Sequence, residues 1–293
     1  MQPLKTPKSY IEQIDNLIKN HGLTVADPIW AEEVLSRVNY YRLSAYGLGL
    51  CQPGDKERYL PGISIEHIYG LYQFDCRLRN LITPVIELLE IELRSRIAYH
   101  LAMTYGAEGY RDPAKFVAKT TKDGDDVHAL TMRKLGNEII QGASKPCVLH
   151  HQTKYGGHFP IWAAIELFNV GMIASLYSIM VDIDQEAIAV QFCTRRGYLI
   201  GWIQSLREVR NICAHYGRLY NMPLMNRPYL YTENIGYASN RLFPVILTMG
   251  RMTRDKEVWA VFLDGLSELI AAHREVNLTF IGFPANWKEV LKP

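Results

Sequence analysis

The sequence predicts an all-α fold, a helical bundle with further helices at both ends. Apolar residues recur at three- and four-residue spacing through most of the 293 residues, the signature of helices buried on one face. Alternating strand patterns are nearly absent, and no internal repeat, low-complexity tract, phosphate-binding glycine loop or G-x-S-x-G elbow interrupts the series. Hydrophobic residues make up 48% and charged residues 21%, which excludes a disordered chain. A net charge of only +2 means that any nucleic-acid site has to be a local patch.

In chain order, Thr6 to Asn20 reads as a helix with Tyr10, Ile11, Ile14, Leu17 and Ile18 as its apolar side, and Gly22 fits its end. Pro28 to Val38 reads as a second helix. The tyrosines of Tyr40 to Tyr46 suit either base stacking or core packing. Gly47 to Gly62, rich in Gly, Pro and charge, reads as a loop and a soft boundary. Ser64 is a candidate N-cap for a long helix to Tyr105, with Leu71, Phe74, Leu78, Leu81, Val85, Leu88 and Ile91 inward and a kink at Pro84. Its later turns carry Glu87, Glu90, Glu92, Arg94 and Arg96. Paired glutamates invite a metal or acid–base reading, but with no H-x-x-E or D-x-D partner an ion-pair network is preferred; Glu90 and Arg94 form an i,i+4 pair, worth tenths of a kcal/mol on a surface.

Asp123 to Asp126 reads as a turn before a helix over Val127 to Gln141. Pro146 to Pro160 reads as loop; its Cys147, His150, His151 and His158 lack the spacing of a zinc site. Pro160 to Val181 is strongly apolar, but Glu166 and Asn169 near its middle argue for a buried helix over Ile161 to Met180 and against a membrane span. Asp182 to Thr194 and Tyr198 to Tyr216 read as helices, the latter ended by Gly217. Asn221 to Tyr237 is irregular. Ser239 to Met252 and Lys256 to Val276 follow as helices, and Phe280, Phe283 and Trp287 form an aromatic tail that packs back on the body. Five scattered cysteines and the lack of an apolar leader in Met1 to Asn20 point to a reducing, cytoplasmic setting.

The helix from Tyr198 to Tyr216 carries the chemistry. Trp202, Leu206, Val209, Cys213 and Tyr216 form its core stripe, with Arg207, Asn211, His215 and Arg218 on the other side. Arg210 lies between the faces, about 140° from His215 on an ideal helix. The pair therefore converges only if Arg210 reaches around, the helix bends, or another copy completes it. Arginine and histidine on an outer helix face are ordinarily just solvated, and an R-x-x-x-x-H spacing alone has little specificity.

Arg210-Asn211-Ile212-Cys213-Ala214-His215 resembles the R-N-x-x-x-H signature of HEPN ribonucleases. The wider chain resembles the Abi-like (AbiD/AbiF-type) abortive-infection proteins of bacteria. The matching blocks are Val38 to Tyr46, Phe74 to Arg79, Glu90 to Arg96, Phe159 to Trp162 through Glu166, and Arg210 to Asn221, spanning about Leu35 to Asn221. The resemblance implies an HEPN-like helical bundle over residues 63–222, flanked by an N-terminal helical segment (1–62) and a C-terminal helical extension (223–293) in one compact unit. It implies a metal-independent endoribonuclease of antiviral defence, with no cofactor, cutting RNA by attack of the 2′-OH. His215 suits proton transfer because imidazole titrates near neutrality. Arg210 suits the phosphate, since its guanidinium forks across two oxygens. Asn211 orients His215 or binds phosphate, and Arg207 and Arg218 suit the RNA backbone. One motif per chain implies a homodimer with a composite site. The alternatives are a catalytically silent HEPN protein that holds a structured non-coding RNA, and a protein-binding scaffold; an antitoxin partner is compatible with the toxin-like reading.

Overall fold

The computed structural model describes residue 4 and residues 6–292; residues 1–3, 5 and 293, on which the leader reading partly falls, lie outside the described residues. The fold is an all-α helical bundle. Helix α1 (Tyr10–Lys19) opens with a capping box in which Ser9 accepts from the Glu12 N–H and Glu12 accepts in return from the Ser9 N–H. Helix α2 (Pro28–Arg37) is capped by Asp27, and the short α3 (Tyr40–Ser44) by Asn39. The expected loop from Gly47 to Gly62 contains a small antiparallel hairpin, β1 (Cys51–Gln52) and β2 (Asp55–Tyr59), with Cys51 opposite Tyr59.

Helix α4 (Ile65–Tyr105) is the central column of the bundle, with α3, α7 (Ile161–Ala164), α8 (Val170–Ile179), α9 (Asp182–Gln191), α10 (Arg196–Ala214), α11 (Leu242–Met252) and α12 (Lys256–Ala272) all packed against it. Ser64 caps it by accepting from the His67 N–H at 3.2 Å. The helix runs unbroken through Pro84, whose missing N–H leaves the Asn80 carbonyl without its helical partner. The expected inward stripe holds as far as Val85 and then shifts phase: Ile86, Leu89, Leu93, Ile97 and Leu101 are buried while Ile91 is exposed. A stripe extrapolated over many turns drifts because 3.6 residues per turn does not match a fixed heptad, and α9 meets the second half of α4 at Arg96 and His100 where α12 meets the first at Leu81.

Two further expectations are corrected. Pro146–Lys154 is a helix, α6, not a loop; Pro146 at its first position supplies the helical φ in advance. The single helix expected over Ile161 to Met180 is two, α7 (Ile161–Ala164) and α8 (Val170–Ile179). Phe168 is extended between them, and the Asn169 side chain accepts from the Met172 N–H at 3.0 Å to start α8. Glu166 is consequently exposed rather than sunk in a buried helix. Because the run is apolar all round, its periodicity gave no sign of the break. Helix α5 (Val127–Gln141) packs on α8; α9 (Asp182–Gln191), α10 (Arg196–Ala214), α11 (Leu242–Met252), α12 (Lys256–Ala272) and α13 (Trp287–Val290) complete the series. The aromatic tail does fold back, with Phe283 4.9 Å from Phe243 and Trp287 buried. One cluster of buried side chains runs from Ile14 to Leu291. Among the described residues no helix is long and apolar enough to cross a membrane.

Candidate functional site

Helix α10 is anchored by Leu199, Trp202, Ile203, Leu206 and Val209, all buried, and the Trp202 indole donates to the Tyr229 carbonyl at 2.7 Å. Its other side leaves Arg207 half-buried and Asn211 exposed. The helix stops two residues short of the expected end. His215 is its C-cap, the Tyr216 N–H donates to the Cys213 carbonyl at 3.1 Å, and the Gly217 N–H reaches back to the Ile212 carbonyl at 2.7 Å. This is a Schellman ending, which needs a left-handed residue right after the cap and usually places glycine there. Here Tyr216 fills that position with φ of 56°, and Gly217 comes one residue later. A left-handed conformation costs a residue with a Cβ about 1–2 kcal/mol. Tyr216, expected on the core stripe, is 71% exposed.

The turn after the helix is held from outside. The Arg42 guanidinium of α3 donates to the Tyr216 carbonyl at 2.6 Å. Arg218 donates to the Ala45 carbonyl at 2.7 Å and lies over the Tyr46 ring, so this arginine is turned inward. Beneath them sits Asp75 of α4, fully buried. It accepts from the Tyr220 N–H at 2.7 Å, the Leu219 N–H at 3.1 Å, the Tyr46 hydroxyl at 2.7 Å and the Arg79 guanidinium. Burial pushes the Asp75 carboxyl above the usual carboxylate range, against the pull of Arg79 and the other donors.

Between α4 and the end of α10 lies a cleft of about 520 Å³. Arg210 forms part of its wall, with Asn80, Thr83, Glu87, Glu90, Ile91, Arg94, Cys213, Ala214 and Tyr216. Glu90 is buried under the arginines and holds one with each oxygen: Arg94 at 2.6 Å on Oε1 and Arg210 at 3.3 Å on Oε2. The buried Nε of Arg94 has no partner among the described residues. Burial lifts the Cys213 thiol to about 11, so it stays protonated at neutral pH.

His215 is exposed between Ala214 and Tyr216, both of which line the cleft. Past the end of the helix it no longer follows a helical face, so the angle extrapolated from Arg210 does not apply. Asn211 meets it only through the main chain: the His215 N–H donates to the Asn211 carbonyl at 3.0 Å, and among the described residues the Asn211 side chain makes no hydrogen bond to the imidazole. Thus Arg210 and His215 share one end of one helix, Arg207 lies three residues before Arg210 on that helix, and Arg218 faces the core. The expected ion-pair network around Glu90 is present, but it is no surface feature, since it fixes Arg210. The i,i+4 spacing of Glu90 and Arg94 was visible in the sequence; their approach to Arg210, 120 residues away, was not. In α6, the His151 Nδ1–H donates to the Cys147 carbonyl of its own helix at 2.9 Å and the ring stacks on Phe159 at 5.1 Å, while His158 bonds Glu108 at 2.9 Å. Among the described residues no three His, Cys, Asp or Glu side chains gather to hold a metal ion.

The protein is therefore a helical bundle with a surface cleft whose wall carries a carboxylate-held arginine, and with an exposed histidine at the C-terminal end of the helix that supplies that arginine. Residues 33–221, well over half of the chain, match the Abi-like protein family. The chain belongs to that family, which points to abortive-infection defence. No curated protein and no solved structure matches it.

Proposed function

We propose that this Abi-like protein is a metal-independent endoribonuclease of the HEPN type whose site is completed by a second copy of the chain. The observation that carries the reading is the cleft at the end of α10, with Arg210 held on its wall by Glu90 and the exposed His215 between two residues of its lining, Ala214 and Tyr216. In this reading Arg210 binds the scissile phosphate and stabilises the charge that builds on its oxygens. The 2′-OH attacks phosphorus, losing its proton to a base; the 5′-oxygen leaves, taking a proton from an acid. The products are a 2′,3′-cyclic phosphate and a 5′-hydroxyl. His215 serves one of the two proton transfers and the same residue of the second copy the other, since one motif supplies one histidine. Arg207 contacts the RNA backbone, and Arg218, turned inward, shapes the loop. Asn211 belongs to the phosphate or to the partner's imidazole, because it does not touch its own.

One observation favours a silent RNA-binding protein instead: among the described residues nothing hydrogen-bonds the His215 ring, so within one chain nothing fixes its tautomer. Incubation of purified protein with mixed single-stranded RNAs in EDTA separates the readings. Wild type should yield ends with 2′,3′-cyclic phosphates, and Arg210→Ala and His215→Ala of the same oligomeric state should yield none. Ends with 5′-phosphates that require a divalent ion, or full activity from a strict monomer, defeat the proposal. RNA binding without cleavage by protein taken from phage-infected cells establishes the silent reading.

A further inference from the structure

We infer that Tyr216 is a nucleobase platform: the cleft between α4 and α10 receives one base of a single-stranded RNA against the Tyr216 ring, with the adjoining phosphate on Arg210 and Arg94. The inference rests on the RNA reading of the site but assigns a residue that reading does not use. Its starting point is a conformational anomaly. The Schellman ending of α10 requires a left-handed residue, glycine is the residue that adopts it without strain, and a glycine is available one position later. The chain nevertheless places tyrosine there, and the Arg42 guanidinium holds its carbonyl at 2.6 Å. Strain of this kind persists where surrounding structure enforces it, and it concentrates at binding sites.

What the strain achieves is exposure. On a continued helix Tyr216 would fall on the buried stripe of Val209 and Leu206; in the left-handed turn its ring is 71% exposed and forms a wall of the cleft. Ile91, 55% exposed, is a second apolar element of the same cleft. An exposed ring beside two guanidiniums, one of them with a buried unpartnered Nε, matches the chemistry of a nucleotide: a flat apolar face joined to an anion. The cleft volume of about 520 Å³ lies within the range of about 300–1,000 Å³ that small ligands occupy. An exposed aromatic residue alone would suit a protein partner; the guanidinium side chains of Arg94 and Arg210 in the same lining add the anion site that a nucleotide needs.

The test separates the ring from the fold, because the two make opposite demands at this position. Tyr216→Gly removes the strain, so its melting temperature should equal or exceed that of wild type. Its affinity for a 2′-O-methyl RNA heptamer, which lacks the attacking hydroxyl and is not cut, should fall about tenfold, within the range for loss of one base–aromatic stack. Tyr216→Phe should bind within twofold of wild type. Replacing the heptamer's nucleotides one at a time with abasic sites should weaken wild type strongly at one position and leave Tyr216→Gly unchanged there. Equal binding by wild type and Tyr216→Gly overturns the inference while leaving the ribonuclease reading standing. Failure of wild type itself to bind the heptamer overturns both. A Tyr216→Gly protein that turns monomeric shows the ring to be an interface between copies, and also overturns the inference.

Discussion

Glu90→Gln is the perturbation that most directly tests how the site is built. The carboxylate is buried and divides its oxygens between Arg94 and Arg210. Breaking a fully buried pair costs about 3–5 kcal/mol. Here Arg210 is 34% and Arg94 19% exposed, and water screens what the amide no longer neutralises, so the expected loss is about 1–3 kcal/mol. The charge of the cleft changes in the opposite sense to its stability. Glu87, Glu90 and Glu166 stand against Arg94 and Arg210, and the amide removes one negative charge from the surface that would face an RNA. Affinity for a 2′-O-methyl oligoribonucleotide should therefore hold or rise, with a steeper salt dependence. Cleavage should fall by about 10–100-fold, because a guanidinium free to wander by an ångström no longer meets the phosphate in the productive pose. Glu90→Asp, which keeps the charge on a shorter arm, should lie in between. Denaturant unfolding, binding titrations at several salt concentrations and single-turnover cleavage measure the three quantities. A glutamine variant that cleaves like wild type would refute the positioning role. One that loses binding and cleavage together would show that Glu90 shapes the cleft and does not aim Arg210.

Arg210→Lys keeps the charge but loses the fork; cleavage should drop at least tenfold while RNA affinity stays within a few-fold, and equal activity would remove bidentate phosphate contact from the mechanism. Leu206→Ala, at a side chain only 1% exposed, should cost about 2–5 kcal/mol in chemical unfolding, and a variant as stable as wild type would mean the buried face of α10 is misassigned. Cys213 should resist alkylation at pH 8 while the exposed Cys147 and Cys193 react. Its folded pKa, pushed up to about 11 by burial, lies above the unfolded one. The protonated thiol therefore favours the folded state fully below the unfolded pKa, and that contribution is lost as pH rises through about 11. Mass spectrometry after iodoacetamide across a pH series checks this, and a Cys213 that reacts at pH 8 as fast as Cys147 contradicts it.

The helix positions were largely legible because amphipathic periodicity reports a one-sided environment. It misled where that condition failed. The apolar run from Ile161 to Met180 is buried all round, so the break at Phe168 left no periodic trace, and only Asn169, a cap residue in an apolar run, hinted at it. The Pro146 segment looked like loop because histidines and a proline crowd it, although proline at a first helical position is favourable. At the candidate site, local spacing singles out Arg210, Asn211 and His215. It does not reveal their environment, since Glu90 meets Arg210 and Arg42 meets Tyr216 across more than a hundred residues of chain.

These distant contacts all fall within the span of the family match. A six-residue motif on a helix specifies neither where its arginine points nor how the chain leaves after its histidine. The first is set by Glu90, and the second by Arg42 and Asp75, which grip the turn at Tyr216, Leu219 and Tyr220. Arg218 and Tyr46 close the same knot, the former through the Ala45 carbonyl and the latter through Asp75. Every one of these residues lies within 33–221, the span that matches the Abi-like family. The helices beyond it, α11 and α12, pack against α10 and α4 and complete their burial, but they bring no side chain to the cleft wall. In the proposed reading, the unit that would carry the chemistry is thus the motif together with the parts of α3 and α4 that hold Arg210 and the turn after α10. Transplanting Arg210 to His215 onto another helix would carry over the residues without the geometry that orients them.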